Sequence, residues 1–394
     1  MFGPTFNLWD LNGSNGFAIN GTAAYDYSGY SVSNAGDVND DGIDDLIIGA
    51  HFAAPNGMSS AGQSYVVFGS NSGFGAGLDL SALNGSNGFA INGIASFDQS
   101  GFSVSSAGDV NGDGFDDLII GAFGADPNGI YNAGQSYVVF GSNSGFGAGL
   151  DLSALNGSNG FAINGIAQLD RSGLSVSSAG DVNGDGFDDL IIGARSADPN
   201  GISSGQSYVV FGSNSGFGAG LDLSTLNGSN GFAINGIAAY DRSGSVSSAG
   251  DVNGDGFDDL IIGANGADPN GISEAGQSYV VFGSNSGFAA GLDLSALNGS
   301  NGFAINGIAA YDQSGWSVSS AGDVNGDGFD DLMIGAFGAD PNGINRAGQS
   351  YVVFGSNSGF AAGLDLSALN GSNGFAINGI AAYDFSGRSV SSAG

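Results

Sequence analysis

The sequence is one unit copied in register along the chain, and this repetition constrains the fold more than any other feature. The segment DVNGDGFDDLIIGA, or a close variant, begins at Asp37, Asp109, Asp181, Asp251 and Asp323, at spacings of 72, 72, 70 and 72 residues. The FAING and VVFG segments recur in the same phase. No break in composition separates the copies, so the repetition predicts one continuous architecture and not a string of independent domains.

Each copy contains four short segments with the composition of β-strands, which we label A (SVSSAGDV), B (DDLIIGA), C (QSYVVFG) and D (GFAINGI). They are rich in Val, Ile, Phe and Tyr and are bounded by Gly, Asn, Asp and Ser. LDLSAL, between C and D, predicts an extra short strand or a turn. Because no segment has a long helical period, the sequence predicts an all-β fold, and a four-stranded antiparallel unit repeated radially is a β-propeller blade. A linear β-solenoid is the alternative, but solenoid repeats are usually only about 20–30 residues long.

The repeat boundaries predict a single propeller with five complete blades and a partial blade at the termini. The blades cover residues 22–93, 94–165, 166–236, 237–307 and 308–379, while 1–21 supply a terminal strand D and 380–394 a terminal strand A. Strands B and C of the partial blade are absent from the sequence. We therefore expect a fragment of a longer repeat protein or, as the alternative, a five-bladed ring with a two-stranded seam. Unclosed sheet edges would favour self-association.

A nine-residue acidic loop links strands A and B in every copy. In the second copy, oxygen-bearing side chains stand at positions 1, 3, 5 and 9, a Gly at position 6 permits a sharp turn, and the carbonyl of position 7 adds another oxygen. Calcium takes six to eight oxygen ligands at about 2.3–2.6 Å. The loop starts like an EF-hand, but position 12 is Ile120 and a strand follows, so Asp117 at position 9 would close the site. A solvated Asx-turn is the alternative, but carboxylates this close together repel one another without a cation.

The candidate metal set takes positions 1, 3, 5, 7 and 9 of each loop and predicts about five Ca²⁺ per chain. Position 8 has no clear ligand role and is expected in solvent or behind the ligands. The candidates are Asp37, Asn39, Asp41, Ile43, Asp45, Asp109, Asn111, Asp113, Phe115, Asp117, Asp181, Asn183, Asp185, Phe187, Asp189, Asp251, Asn253, Asp255, Phe257, Asp259, Asp323, Asn325, Asp327, Phe329 and Asp331.

The strand, the D-x-[DN]-x-D-G-x-x-D loop, the DLIIGA strand and the nearby FG together resemble the FG-GAP repeats of integrin α-subunit propellers, in particular the bacterial, calcium-binding branch of that family. The resemblance covers essentially the whole chain. It implies a β-propeller that holds Ca²⁺ in its A–B hairpin loops, with Asp37, Asn39, Asp41, Asp45 and their equivalents as ligands. It also implies that ligands bind the face opposite those loops.

The copies differ mainly in two stretches, one before strand A and one after strand B. All five Arg, the single His, the single Glu and one of the two Trp lie there. In an up-and-down sheet both stretches fall at the end opposite the acidic loops, which predicts a ligand face. Drift of exposed loops is the alternative. The candidates are Tyr30, Phe102, Arg171, Arg195, Arg242, Trp316, Phe337, Arg346 and Arg388.

The composition argues against several classes of function. A formal charge of -33 argues against nucleic acid as a partner, and the lack of an apolar run of about 18 residues argues against membrane insertion. With no Cys, no Lys and one His, the chain has few groups for catalysis at neutral pH, so we expect no enzyme. No signal peptide is visible. Extracellular calcium sites bind at about 10⁻⁴–10⁻³ M, which favours an extracellular or cell-surface location.

These observations favour a calcium-dependent adhesion or protein-interaction module, with structural Ca²⁺ and a protein or glycan partner on the variable face. The first alternative is a carbohydrate-binding propeller that stacks aromatic side chains on sugars. The second is the non-catalytic arm of a larger secreted protein. The third is a structural matrix repeat that self-associates and has no distinct ligand.

Overall fold

The chain folds as a series of similar small β-sheets. The computed structural model describes residues 7–392. Each repeat forms a sheet in which strands A, B, C and D follow one another antiparallel, and the helical segments of the described residues are single 3₁₀ turns of three residues. The expected all-β fold of propeller blades is confirmed.

The strand bounds repeat from blade to blade. Strand A covers Ser31–Gly36, Ser103–Gly108, Ser175–Gly180, Ser243–Gly250 and Ser317–Gly322. Strand B covers Asp45–Ala50, Asp117–Ala122, Asp189–Ala194, Asp259–Ala264 and Asp331–Ala336. Strand C covers Gln63–Val67, Gln135–Val139, Gln206–Val210, Gln277–Val281 and Gln349–Val353. Strand D covers Ala18–Asn20, Gly88–Asn92, Gly160–Asn164, Gly231–Asn235, Gly302–Asn306 and Gly374–Asn378.

Short 3₁₀ turns occupy two recurrent places and the amino-terminal segment. The turns between strands B and C are Pro55–Gly57, Pro127–Gly129, Pro269–Gly271 and Pro341–Gly343. The turns between strands C and D are Leu80–Ala82, Leu152–Ala154, Leu223–Thr225, Leu294–Ala296 and Leu366–Ala368, and a further turn lies at Leu8–Asp10.

A three-residue strand, which we label E, ends on the first two residues of the LDLSAL segment, and its partner lies in the preceding blade. Gly149–Asp151 belongs to the second repeat but pairs in parallel with strand D of blade 1. The same pairing joins E to D at the other junctions. The sheets of blades 1 to 4 therefore run A-B-C-D-E, with E supplied by the next repeat. The E strands are Gly77–Asp79, Gly149–Asp151, Gly220–Asp222, Gly291–Asp293 and Gly363–Asp365.

A chain of polar side chains crosses from strand C to strand E and explains several repeated residues. Tyr137 Oη donates to Gln135 Oε1 at 2.6 Å, and Gln135 Nε2 donates to Asn164 Oδ1 at 2.6 Å. Asn164 Nδ2 then donates to Asp222 Oδ1 of the following repeat at 2.8 Å. Because these groups satisfy one another, strand E is tied to the preceding blade by side chains as well as by backbone.

The apolar core lies between blades and not within them. The cluster between blades 2 and 3 joins buried residues of both, among them Phe161 of strand D and Leu190 of the next strand B. Phe217, from the C–D loop of blade 3, stacks on Phe161 with ring centroids 4.3 Å apart and planes within 5°. Offset-stacked rings at this distance add to the free energy of area burial. Each blade is thus stabilised chiefly by its neighbours.

The A strands of successive blades lie side by side at the inner edges of the sheets. Val104 N donates to Ser31 Oγ and Val176 N to Ser103 Oγ, both at 3.1 Å. Among residues 7–392, no further A strand lies beside the outer side of strand A in blade 1. Val32 is 65% exposed where its counterpart Val104 is 5% exposed. The two ends of the array therefore show apolar surface that internal blades bury.

The two partial blades behave differently. The amino-terminal strand D forms at Ala18–Asn20 and pairs with strand E of the first repeat, while residues 1–6 of that segment lie outside the described residues. The expected strand A in 380–394 does not form in its described part, up to residue 392. No strand B follows it in this sequence to complete a ladder. Val390 N still donates to Ser317 Oγ at 3.0 Å, as internal A strands do.

The inter-blade core predicts unequal costs for one substitution at two equivalent sites. Phe232 is fully buried and stacks on Phe288, whereas Phe375, at the same repeat position, is 41% exposed. We expect Phe232→Ala to lower the free energy of unfolding by about 3–5 kcal/mol and Phe375→Ala by less than half as much. Urea unfolding followed by circular dichroism measures both. Equal losses would contradict a core shared between blades.

Candidate metal loops and variable face

The acidic loops lie at the end of the sheets where strand A turns into strand B. The C–D loops reach the same end, because Asp113 and Phe115 line a cavity of ≈ 380 Å³ together with Ser142 and Phe146. The expected placement of A–B and C–D loops on one side is therefore observed. The D–A and B–C loops meet at the opposite end, where Arg242 and Asp268 line one cavity.

Backbone N–H groups shape each loop around its first Asp. Gly112 N and Asp113 N donate to Asp109 Oδ1 at 2.8 and 3.0 Å, and Gly114 N donates to Asp109 Oδ2 at 2.9 Å. Gly114, at position 6, has a φ of 89°, a conformation that L side chains rarely adopt. A side chain at this position would strain the turn, which is the physical reason for the Gly there.

The third and fifth positions continue the same winding. Asn111 Oδ1 accepts from Asp113 N at 2.8 Å, and Asp113 Oδ1 accepts from Phe115 N at 3.1 Å. No described donor reaches the carbonyl oxygen of Phe115. Asp109 Oδ1 already accepts two bonds, but Asp109 Oδ2 and Asp113 Oδ1 accept one each and keep a second lone pair. The loop therefore retains oxygen acceptors at more than one position.

The ninth position differs from the others because its carboxylate is buried. Asp117 is fully buried, and its oxygens accept from Gly141 N at 2.9 Å and Val110 N at 3.1 Å. Burial raises the pKa of Asp117 to about 8, although the hydrogen bond from Gly141 lowers it. Because the pKa of Asp117 is raised above that of a free Asp, its protonated form favours the folded state, and this contribution is lost as the pH rises through about 8. A nearby cation would offset the cost of the buried negative charge.

In residues 7–392, no three side chains of Asp, Glu, His or Cys are grouped as a ready set of metal ligands. The donor chemistry nevertheless fits a hard divalent cation, because each loop offers only oxygen atoms and carries uncompensated negative charge. The residues at positions 1, 3 and 5 are partly or fully exposed, whereas position 9 faces backbone N–H groups. The side-chain oxygens of each loop thus accept hydrogen bonds from the loop's own backbone, and the oxygen atoms that could bind a metal follow the order that the sequence predicts.

Position 8 of the loop, expected in solvent or behind the ligands, makes a specific contact between blades. Asp116 Oδ2 accepts from Asp37 N of the preceding loop at 2.8 Å. Asp188 does the same for Asp109 N at 2.8 Å, and burial raises the pKa of Asp188. The same bond recurs at the two later junctions. The first residue of each of these loops is therefore held by the following blade.

This contact predicts a difference between two equivalent Asp residues. Asp44, in the first blade, accepts only an exposed bond from Asn34. We expect Asp188→Ala to lower the free energy of unfolding by about 1.5–3 kcal/mol, as for hydrogen bonds to charged groups. Asp44→Ala should change it by less than about 0.5 kcal/mol. Chemical denaturation in EDTA measures both variants, and losses of equal size would show that the bond between loops contributes nothing.

On the variable face, aromatic side chains of blades 1 and 2 form one cluster. The His51 ring lies 4.5 Å from Tyr30, Tyr30 lies 4.9 Å from Phe102, and Phe102 lies 4.7 Å from Phe123, all between centroids. His51 is buried, and burial lowers the pKa of its imidazole. The candidates Tyr30 and Phe102 are therefore brought together, with His51 and Phe123 as additional members.

A second group joins blades 3, 4 and 5. The Arg195 guanidinium lies 4.8 Å from the ring centroid of Trp316, a cation–π contact. Arg195 Nη2 also donates to Asn265 Oδ1 at 2.7 Å, and Phe337 packs 4.7 Å from Trp316. Side chains of three different repeats thus converge, which the sequence of any one repeat could not show.

Not all candidates of the variable face meet. Arg171, Arg195 and Arg242 line one cavity of ≈ 340 Å³, but Arg346 and Arg388 do not belong to it. Asn265 was missed by sequence reasoning because it is neither charged nor aromatic. Its only signal was its place in the variable stretch after strand B.

Comparison with known proteins places the chain in a family. The model of the FG-GAP repeat matches five segments, at residues 28–67, 100–139, 172–210, 243–281 and 314–353. Each match begins at strand A or a few residues before it and ends with strand C. The chain belongs to the FG-GAP repeat family, as the sequence resemblance indicated.

Several curated proteins are similar to parts of the chain. Integrin alpha-V of Gallus gallus is 30% identical over 64% of this chain and 22% of its own length. Integrin alpha-5 of Xenopus laevis is 29% identical over 64% of this chain and 21% of its own length. Phosphatidylinositol-glycan-specific phospholipase D of Bos taurus is 31% identical over 51% of this chain and 22% of its own length. The chain thus spans about a fifth of the relatives that it matches.

Proposed function

We propose that the chain is a calcium-binding FG-GAP module for adhesion or protein interaction outside the cell. The observation that carries this proposal is the division of the molecule into two ends. Acidic, oxygen-rich loops repeat almost unchanged at one end, while the other gathers the few Arg and aromatic residues that vary, into joined clusters. Variable residues on a rigid repeated scaffold are what a binding surface requires. The likeness to integrin alpha chains supports the same function.

In this proposal, the residues at positions 1, 3, 5 and 9 and the carbonyl of position 7 hold one Ca²⁺ per loop. When bound, calcium supplies positive charge next to carboxylates that otherwise repel one another. The chain's own part is to keep these oxygens in one short loop and to fix that loop. Asp117 anchors the loop to Gly141, and Asp188 ties it to the next blade. The role of the cation is structural.

We propose an extracellular location because of the affinity for Ca²⁺ that loops of this kind have. Extracellular modules bind Ca²⁺ at about 10⁻⁴–10⁻³ M, so cytosolic calcium would leave the loops empty. No helix of the described residues is long and apolar enough to cross a membrane.

Calcium binding predicts a change in thermal stability. We expect a higher unfolding midpoint in 1–5 mM Ca²⁺ than in EDTA, because a site at ten times its Kd adds about 1.4 kcal/mol. Mg²⁺ should do less, since it demands stricter octahedral geometry. Asp185→Ala, in the third loop, should reduce the shift, whereas the control Asp384→Ala removes an exposed charge at the other end and should not. Calorimetry measures all of them, and an identical midpoint in calcium and EDTA would contradict the proposal.

The surroundings of particular residues argue against two alternatives to a protein-interaction module. A glycan-binding face would need free aromatic planes, but Arg195 covers one side of Trp316, and Tyr30 and Phe102 pack against each other. An enzyme would need acid–base groups, and the one His is enclosed by aromatic rings. We therefore propose a non-catalytic module whose partner is a protein.

The partner face can be tested by a matched set of substitutions. The chain, immobilised on beads, is exposed to panels of glycans and extracellular matrix proteins in calcium and in EDTA. We expect calcium-dependent binding to a protein that falls at least tenfold on Phe102→Ala or Trp316→Ala. Asn143→Ala, exposed at the opposite end, is the control. If Asn143→Ala abolishes binding and the aromatic variants keep it, the partner binds at the end of the acidic loops, which would contradict the proposed face. Glycan binding lost on Trp316→Ala would favour the lectin alternative.

A further inference from the structure

Three of the five Arg residues of this acidic chain line one cavity. Arg171 precedes strand A of blade 3, Arg195 follows strand B of the same blade, and Arg242 precedes strand A of blade 4. They line a cavity of ≈ 340 Å³ together with Ser196 and Ser203. A chain with 38 acidic residues has thus gathered most of its positive charge at one junction.

The sequence shows why this junction differs from the others. One position before strand A carries a side chain in the other repeats, namely Tyr30, Phe102, Leu174, Trp316 and Arg388. Blade 4 has no residue at this position, so Gly244 is followed at once by the Ser-Val of the strand. A Cβ at Gly244 would lie only 2.9 Å from the Cα of Arg195. The deletion therefore brings this backbone against Arg195. The Arg195 side chain then extends past blade 4, where a large side chain would otherwise stand, to Trp316 of blade 5.

No carboxylate side chain is among the residues that line this cavity. None of the three Arg residues forms an ion pair with a carboxylate of the described residues. Arg195 has a neutral partner, Asn265. Burial and the neighbouring charge of Arg242 lower the pKa of Arg195 to about 10, so it stays charged at neutral pH. Within residues 7–392, the hydroxyl groups of Ser196 and Ser203 have no hydrogen-bond partner. Apart from the bond to Asn265, the donors that line the cavity therefore have no acceptor there.

The equivalent junction one blade further on shows the contrast. There Gln313 stands where Arg242 stands, and Glu274 stands in the place of Ser203. Gln313 Nε2 donates to Glu274 Oε2 at 2.9 Å, so these groups satisfy each other. At the junction of blades 3 and 4, by contrast, Arg242 and Ser203 make no side-chain hydrogen bond to each other within the described residues. Arg242 also borders a second cavity, together with Asp268 and Glu274.

We infer that this cavity binds a tetrahedral oxyanion, a sulfate or phosphate group, between Arg171, Arg195 and Arg242. Guanidinium groups suit such anions because their N–H donors are paired in a plane. The overall charge of -33 opposes anions at long range, but at 0.15 M salt charges beyond about 8 Å are largely screened. The inference rests on the proposed function, since it names the chemistry that the variable face would recognise in a partner.

The chain itself supplies substitutions that the backbone tolerates. Arg171 and Arg242 have φ values of 58° and 59°, and Gln99 and Gln313 occupy the same position with 56° and 55°. Arg171→Gln with Arg242→Gln therefore removes two charges without new strain. Arg346→Asn is the matched control: it removes one charge outside the cavity, where blade 2 carries Asn132 with nearly the same φ.

Isothermal titration with sodium sulfate, at constant ionic strength in sodium chloride and in 1 mM Ca²⁺, tests the inference. We expect saturable binding of one sulfate per chain, at least tenfold weaker in the double variant and unchanged in Arg346→Asn. Phenyl phosphate and dextran sulfate, with dextran as the neutral control, distinguish a phosphate monoester from a sulfated polysaccharide as the source of the anion. Binding of either one supports the inference if the double variant loses it.

Two results would overturn the inference: no binding of any of these anions above that of chloride, or an equal loss in Arg346→Asn. The thermal response to calcium is measured on the same samples. A chain that responds to calcium but binds no anion refutes only the oxyanion site. A chain that binds sulfate but does not respond to calcium refutes the metal loops and leaves the cavity established.

Discussion

Packing between neighbouring blades is the interaction on which the rest of the structure depends. A sheet of four short strands cannot bury both of its faces, so each blade uses the next one as its other layer. Phe161 is enclosed by Phe217 of the following repeat, and strand E crosses to the preceding sheet. The near-identity of the copies follows, because every blade must offer one surface that fits its successor and one that fits its predecessor.

The same dependence organises the two ends of the sheets. At the acidic end, Asp116 and its equivalents in blades 3 to 5 fasten their loops to the blade before, so a loop that holds a cation would also stiffen its neighbour. At the other end, backbone hydrogen bonds such as that from Tyr240 N to Ile202 O at 2.8 Å join the loops of neighbouring blades, and the side chains of these loops vary. We propose that cations are held at one end of this repeated scaffold and that recognition takes place at the other.

Much of this organisation could be predicted from the sequence, because repetition reveals strands, loops and their order. The A–D strands and the side on which the acidic loops lie followed from periodicity and from antiparallel connection. What could not be predicted depends on contacts between copies. The partner of strand E, the acceptor role of Asp116 and the meeting of Arg195 with Trp316 each join residues about 60 to 120 positions apart. Identical copies offer no signal for which neighbour a residue meets.

Counting bound calcium tests the central claim most directly. The chain is equilibrated with 1 mM Ca²⁺, separated from free metal by gel filtration in a buffer containing 1 mM Ca²⁺, and its calcium is measured by mass spectrometry against that buffer. The account predicts about five Ca²⁺ per chain, and about one fewer for each loop in which the Asp at position 5, such as Asp113, is replaced by Ala. A count near zero, or a count that does not fall as loops are altered, would contradict it.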